Sequence, residues 1–185
     1  MSQTVELVCH PSKPSDAVRA VVVRVGRNVD GELRLSFRLD GDIERIRFAP
    51  PGAPRFAAEL WRHTCFEVFI SREGHHAYHE FNFATSGEWT VYSFSDYRNG
   101  GAVDDEALRP EIEARATASH IELDALVRLG RLSAAHIRTS LRLGLAAIIE
   151  ASDGFSYWAL SHPAGKPDFH DHTSLAMLLA PPAAE

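Results

Sequence analysis

The sequence predicts an all-β chain: an antiparallel β-sandwich, of immunoglobulin or jelly-roll type, with at most one short helix. Three observations carry that expectation. Hydrophobic residues recur with a period of two along most of the chain, as they do where one face of a strand is buried. The apolar runs are short and separated by turn signals such as Asn28-Val29-Asp30-Gly31, Thr85-Ser86-Gly87-Glu88 and Ser152-Asp153-Gly154. Only the stretch 125–138 has helical spacing, and Gly130 interrupts it. Many short strands with little helix close into a sandwich or barrel.

Taken in order, residues 18–27 and 32–40 read as a hairpin across the Asp-Gly turn. Residues 43–48 read as a further short strand. The proline-rich segment 49–56 stops it, because proline cannot donate to a ladder. Strands follow at 63–71, 77–84 and 88–95, then a polar, glycine-containing connection over 96–110. Residues 111–118 and 119–124 are weaker strands, 125–138 is one short helix or turn, and 141–151 is a buried strand. The next strand is 155–160, and a loop stiffened by Pro163 and Pro167 leads to a last strand at 174–179. The tail near 181–185 is expected to fray. No repeat or shift in composition divides the chain, so residues 1–185 are expected to form a single domain.

With 185 residues, 45% of them hydrophobic, the chain can bury a substantial core. A net charge of −6 with scattered basic residues argues against nucleic acid or an anionic membrane as a partner. No apolar run reaches the ~18 residues of a membrane span. The start lacks the basic-then-apolar pattern of a secretion signal, so a cytoplasmic location is expected. Cys9 and Cys65 are too few for a disulfide framework or a four-thiolate zinc site. They are expected to be reduced, with a Cys9–Cys65 pairing left open.

The stretch from Leu60 to Ile70, LWRHTCFEVFI, carries the first candidate chemistry. Read as a strand, it places Trp61, His63, Cys65, Glu67 and Phe69 on one face, and Phe66, Val68 and Ile70 toward the core. In the next strand Phe81 and Phe83 join that core, so Tyr78, Glu80 and Asn82 fall on the same face as His63, Cys65 and Glu67. A polar sheet face can simply be wet. The aromatic residues and Cys65 fit better with a sheltered, concave binding surface. A second cluster is Tyr157 and Trp158 on a strand, with His162, Lys166, Asp168, His170 and His172 in the following loop, and a third is Tyr97-Arg98. Glu67 and Glu80 could instead be the carboxylate pair of a hydrolase. The His-dense stretches HHAYH (75–79) and HDH (170–172) raise a metal site, with His162, His170 and His172 as candidate ligands. The chain has no nucleophile elbow, phosphate loop or H-E-x-x-H motif.

LWRHTCFEVFI, YHEFNFATSGEWTVYSFSDYR and YWALSHPAGKPDFH, in that order, resemble the bacterial DOMON-like proteins, which are related to family 9 carbohydrate-binding modules. The resemblance spans residues 15–180 and implies a sandwich with a ligand-binding face. It implies that Glu67 lies in a ligand cleft and that Trp158 could be an aromatic platform. Haem binding in that family uses an axial methionine and histidine. Met177 lies in an apolar final strand, so haem is doubtful, and neither haem nor zinc is expected. The function expected is non-catalytic binding of a small ligand, a carbohydrate or polyol. Trp61 and Trp158 would form the platform, with His63, Glu67, Glu80, Asn82 and Arg98 giving hydrogen bonds. The alternatives are a metal-dependent or two-carboxylate hydrolase, a haem- or metal-binding module, and a module docking a protein partner.

Overall fold

The computed structural model describes residues 2–182. Among them are the strands β1 (Ser2–Glu6), β2 (Val8–Cys9), β3 (Val18–Arg27), β4 (Glu32–Gly41), β5 (Ile46–Arg47), β6 (Cys65–Arg72), β7 (Tyr78–Phe83) and β8 (Trp89–Asp96). They continue as β9 (Asn99–Ala102), β10 (Glu111–Ala116), β11 (His120–Arg128), β12 (Leu141–Ala151), β13 (Gly154–Ala159) and β14 (Met177–Leu179). One helix, α1 (Ala134–Arg138), lies between β11 and β12. Every pairing between these strands is antiparallel.

The strands form two sheets. The smaller has the order β1-β3-β4-β11-β10, and the larger β2-β13-β12-β6-β7-β8-β9, with β5 and β14 also paired to β12. This is the expected sandwich. Its core interleaves Val21, Val23, Val25, Leu35, Phe37, Leu39, Ile121 and Leu123 from the smaller sheet with Phe66, Val68, Ile70, Phe81, Phe83 and Leu143 from the larger. Each such side chain is buried, and each contributes about 1.5–3 kcal/mol relative to exposure.

Several elements differ from the sequence expectation: β1 and β2 precede the first expected strand, β6 begins at Cys65 rather than at 63, and β14 begins at Met177 rather than at 174. Residues 43–45 are a 3-10 turn before the two-residue β5. The helical spacing of 125–138 belongs in part to β11, which runs to Arg128, so that α1 begins only at Ala134. The supposed connection 96–110 contains β9. Of the tail expected to fray, residues 183–185 lie outside the described residues. Arg27, on β3, holds α1 in place: its guanidinium donates to the carbonyls of His136 (2.7 Å), Ile137 and Thr139 (2.9 Å), the otherwise unpaired end of the helix.

Candidate functional site

The outer face of the larger sheet is the key to the site. The register Glu67↔Asn82, Phe69↔Glu80 and Ser71↔Tyr78 puts Glu67, Glu80, Asn82 and Tyr78 on one face, as the alternation predicted. The same face continues through Tyr92 and Phe94 on β8, through Ala146 and Ile148 on β12, and through Tyr157 on β13. It is not a wet face. The loop between β13 and β14 folds over it, and Phe169 and Leu175 pack with Cys65, Phe69, Tyr78, Phe94 and Ala146 into a second apolar cluster. Gly144 lets the loop approach: a Cβ there would lie 3.2 Å from the Phe69 Cβ and 3.3 Å from the Ser174 carbonyl oxygen.

Between this loop and the sheet lies a cleft of about 490 Å³. Glu67, Phe69 and Glu80 form its floor. Trp61, Tyr92, Phe94, Tyr157 and Phe169 supply aromatic walls, and Arg98, Pro167 and His170 close the side beneath the loop. That volume and lining suit a small organic ligand.

The floor is electrostatically unusual. Burial pushes the Glu67 carboxyl well above the usual carboxylate range, and the neighbouring Glu80 pushes it further. Burial raises Glu80 to about 7, against the opposing pull of a hydrogen bond from Asn82 and the charge of Arg98. The Cys65 thiol donates to Glu67 Oε1 at 3.3 Å, and Asn82 Nδ2 donates to Glu80 Oε1 at 2.8 Å. Asn82 Oδ1 is buried and has no hydrogen-bond partner among the described residues, and Glu67 lies directly across the ladder from Asn82.

The loop is fastened by a clasp. Asp168 accepts from Tyr97 Oη (2.6 Å), from Arg98 Nη2 (2.9 Å) and from the His170 backbone N–H (3.1 Å). Arg98 has φ 51°, a left-handed turn that its neighbours hold in place. Its backbone N–H donates to Tyr78 Oη at 3.2 Å, and Tyr78 Oη meets His170 Nδ1 at 2.8 Å. The Tyr78 hydroxyl can donate its own proton to Nδ1, in the tautomer that leaves the ring hydrogen on Nε2. The other His170 nitrogen, Nε2, then carries its hydrogen 3.6 Å from Glu80 Oε2. Burial, with the charge of Arg98, lowers His170 to about 4, so it is neutral near pH 7.

Several expected site residues stand elsewhere. Trp158 pairs with Ala147 on the inner side and is core, its Nε1 donating to Ser156 Oγ at 3.0 Å. The outward aromatic of that strand is Tyr157. This corrects the Trp158 platform. Trp61 does reach the cleft, but from a 3-10 turn, not from a strand. His63 precedes β6 and faces Glu150, with Nδ1 2.8 Å from Oε2, outside the cleft. Lys166 is exposed on the loop and does not line the cleft. His162 donates from Nε2 to the Val8 carbonyl at 2.8 Å, at the far edge by β2.

The expected metal set is therefore dispersed, with His162 at Val8, His170 at Tyr78 and His172 beside Asp96. Met177 is in the core, on the side opposite His170, so the two do not form an axial pair for haem. Cys9 packs toward the core and Cys65 on the outer face, three strands apart, roughly 14 Å at sheet spacing. That separation excludes their disulfide, and both are free.

Sequence reasoning missed Tyr92, Phe94 and Phe169, and it placed Tyr157 in the second cluster without giving it the platform role. The first two were within reach, since one more hairpin register places Tyr92 beside Glu80 and Phe94 beside Tyr78. A second hollow, about 530 Å³ on the outside of the smaller sheet, is lined by Arg24, Arg34, Glu111, Glu113 and Asp124 without any aromatic side chain. Its charges pair along an exposed surface, as in Arg115–Asp124 and Arg128–Glu111, and it reads as ordinary wet sheet.

No family model matches the chain, and no curated protein is similar to it in sequence. Solved structures are similar in fold. One is a protein from Bacteroides uniformis ATCC 8492, provisionally described as carbohydrate-binding. It is 15% identical, with a TM-score of 0.62 over 92% of this chain and 81% of that one. Another is a family 9 carbohydrate-binding module from Caldicellulosiruptor kristjanssonii in complex with glucose. It is 12% identical, with a TM-score of 0.54 over 94% of this chain and 81% of that one. The chain thus shares a two-sheet fold with proteins of this kind.

Proposed function

We propose that the chain is a non-catalytic binding module whose cleft takes a sugar or a similar polyol. The observation that carries this is the composition of the cleft: aromatic walls around a floor of two buried carboxyls, Glu67 and Glu80, whose hold on their protons burial strengthens. Aromatic faces stack on the C–H surface of a sugar ring, and Trp61 stands at the lip 44% exposed, with the Arg62 guanidinium 5.3 Å from its ring centroid. A carboxyl accepts hydrogen bonds in either state and also donates when protonated, so Glu67 and Glu80 can pair with the hydroxyls of a polyol.

The carbohydrate-binding descriptions of the two proteins similar in fold support the same reading, and glucose is the natural first probe. Membership of the DOMON-like proteins and a cytosolic setting complete the proposal. Free Cys9 and Cys65 suit that setting. Affinity should be modest, because every polar group of the floor must be desolvated.

The test is a thermal-shift and calorimetric panel of mono- and disaccharides, with Trp61→Ala and Glu67→Gln alongside the wild type. At least one sugar should raise the wild-type midpoint and fail to do so in Trp61→Ala. If no sugar binds, or if both variants bind as the wild type does, the proposal is wrong.

A further inference from the structure

The two His-dense stretches of the sequence meet in space, at a place the cleft does not use. His76 lies in the connection between β6 and β7, Asp96 is the last residue of β8, and His172 opens the 3-10 turn that ends the cover loop. One ligand atom from each lies within 4.8 Å of the other two. His172 Nε2 is 3.8 Å from Asp96 Oδ1, and the rings of His76 and His172 meet edge to face with centroids 5.3 Å apart.

We propose that His76, Asp96 and His172 bind one divalent first-row transition ion, of the zinc, cobalt or nickel class. Two imidazoles and one carboxylate are the donors such an ion takes. Calcium and magnesium require a shell of oxygens that this place lacks. Ligand bonds of about 2.0–2.1 Å in a tetrahedron put the ligand atoms about 3.4 Å apart. All three side chains are exposed, so small rotations close the present spread. A fourth position stays open to water.

The surrounding structure holds the ligands from three separate segments. The register Tyr78↔Phe94 brings the β6–β7 connection beside the end of β8. Ser71 Oγ lies 2.9 Å from the carbonyls of both His75 and Ala77 and so braces the segment carrying His76. The Tyr97 N–H donates to Asp96 Oδ1 at 2.7 Å and so orients that carboxylate, with Oδ1 facing His172. Asp171 accepts from the Thr173 N–H at 2.8 Å and fixes the turn from which His172 projects. An ion here would fasten the cover loop to the sheet a second time, next to the Asp168 clasp.

The test uses the tag-free, chelator-treated chain, titrated with Zn²⁺ by calorimetry and with Co²⁺ by visible absorption. One ion should bind per chain. His76→Ala and His172→Ala should each abolish binding, and Asp96→Asn should weaken it about tenfold. His75→Ala and His162→Ala should leave it intact, with circular dichroism confirming the fold of every variant. The proposal is overturned if the wild type binds neither ion saturably. Undiminished binding in the double variant His76→Ala/His172→Ala would also overturn it, as would equal loss in His75→Ala.

Discussion

Glu80→Gln is the substitution whose effect can be worked furthest from the structure. In the fold the Glu80 carboxyl titrates at about 7, and its ordinary value is 4.5. A carboxyl whose folded value is raised contributes its stability fully below the unfolded value and loses it as pH climbs through the folded one. Each tenfold difference in proton affinity is worth about 1.4 kcal/mol, so ionising Glu80 in the fold costs about 3 kcal/mol by pH 8. Glutamine keeps the shape and the acceptor for Asn82 but carries no charge. The variant should match the wild type near pH 4.5 and exceed it by about 3 kcal/mol at pH 8. For a chain of this size that is about 6–12 °C in the midpoint.

The wild-type curve alone would mislead. Burial lowers His79, His136, His162 and His170, so they favour the fold more as pH rises toward 6.5, opposite to Glu80. The observable is therefore the difference between variant and wild type, followed by thermal unfolding at half-unit steps from pH 4.5 to 8. A difference that stays flat, or that grows as pH falls, would refute the picture of a proton held in the floor.

The remaining predictions probe the two faces of the larger sheet and their supports. Trp158→Ala should cost about 3–5 kcal/mol in denaturant unfolding as a core truncation. Tyr157→Ala, on the opposite side of the same strand, should cost far less and weaken sugar binding instead. Gly144→Val should push the cover loop from the sheet, costing about 1–3 kcal/mol. It should also expose residues 161–175 to limited proteolysis. Arg27→Ala should cost about 2–3 kcal/mol, because the carbonyls ending α1 lose a charged donor, and equilibrium unfolding in urea measures it.

How far the sequence could be read depended on which forces were local. Period-two alternation located β6 and β7 and put Glu67, Glu80 and Asn82 on one face, because a strand buried on one side leaves that trace. The same alternation failed at Trp61 and His63. The strand starts only at Cys65, behind a 3-10 turn that follows Glu59 at φ 60°, and nothing in LWRH marks that break. It also failed to choose between Tyr157 and Trp158, adjacent aromatics whose sides are set by the register with β12.

β9 was invisible because Asn-Gly-Gly-Ala has no strand propensity. Its pairing with β8 tolerates only glycine at residue 100, where a Cβ would strike the Ser93 carbonyl. The cover loop was legible as a rigid connection, through Pro163 and Pro167, but not as a lid. Phe169 and Leu175 lie far apart in a polar stretch, and only the folded chain sets them over Phe69.

The central claim is that a sugar enters the cleft on the outer face of the larger sheet. The chain's three tryptophans report on it directly, since Trp61 is at the cleft's lip while Trp89 and Trp158 are buried in the inter-sheet core. In a titration followed by the three indole N–H resonances, beginning with glucose and continuing through the sugars that shift the midpoint, the Trp61 signal alone should move and saturate. Saturable movement of Trp89 or Trp158 with Trp61 unchanged, or no movement of any indole at saturating sugar, would contradict the account.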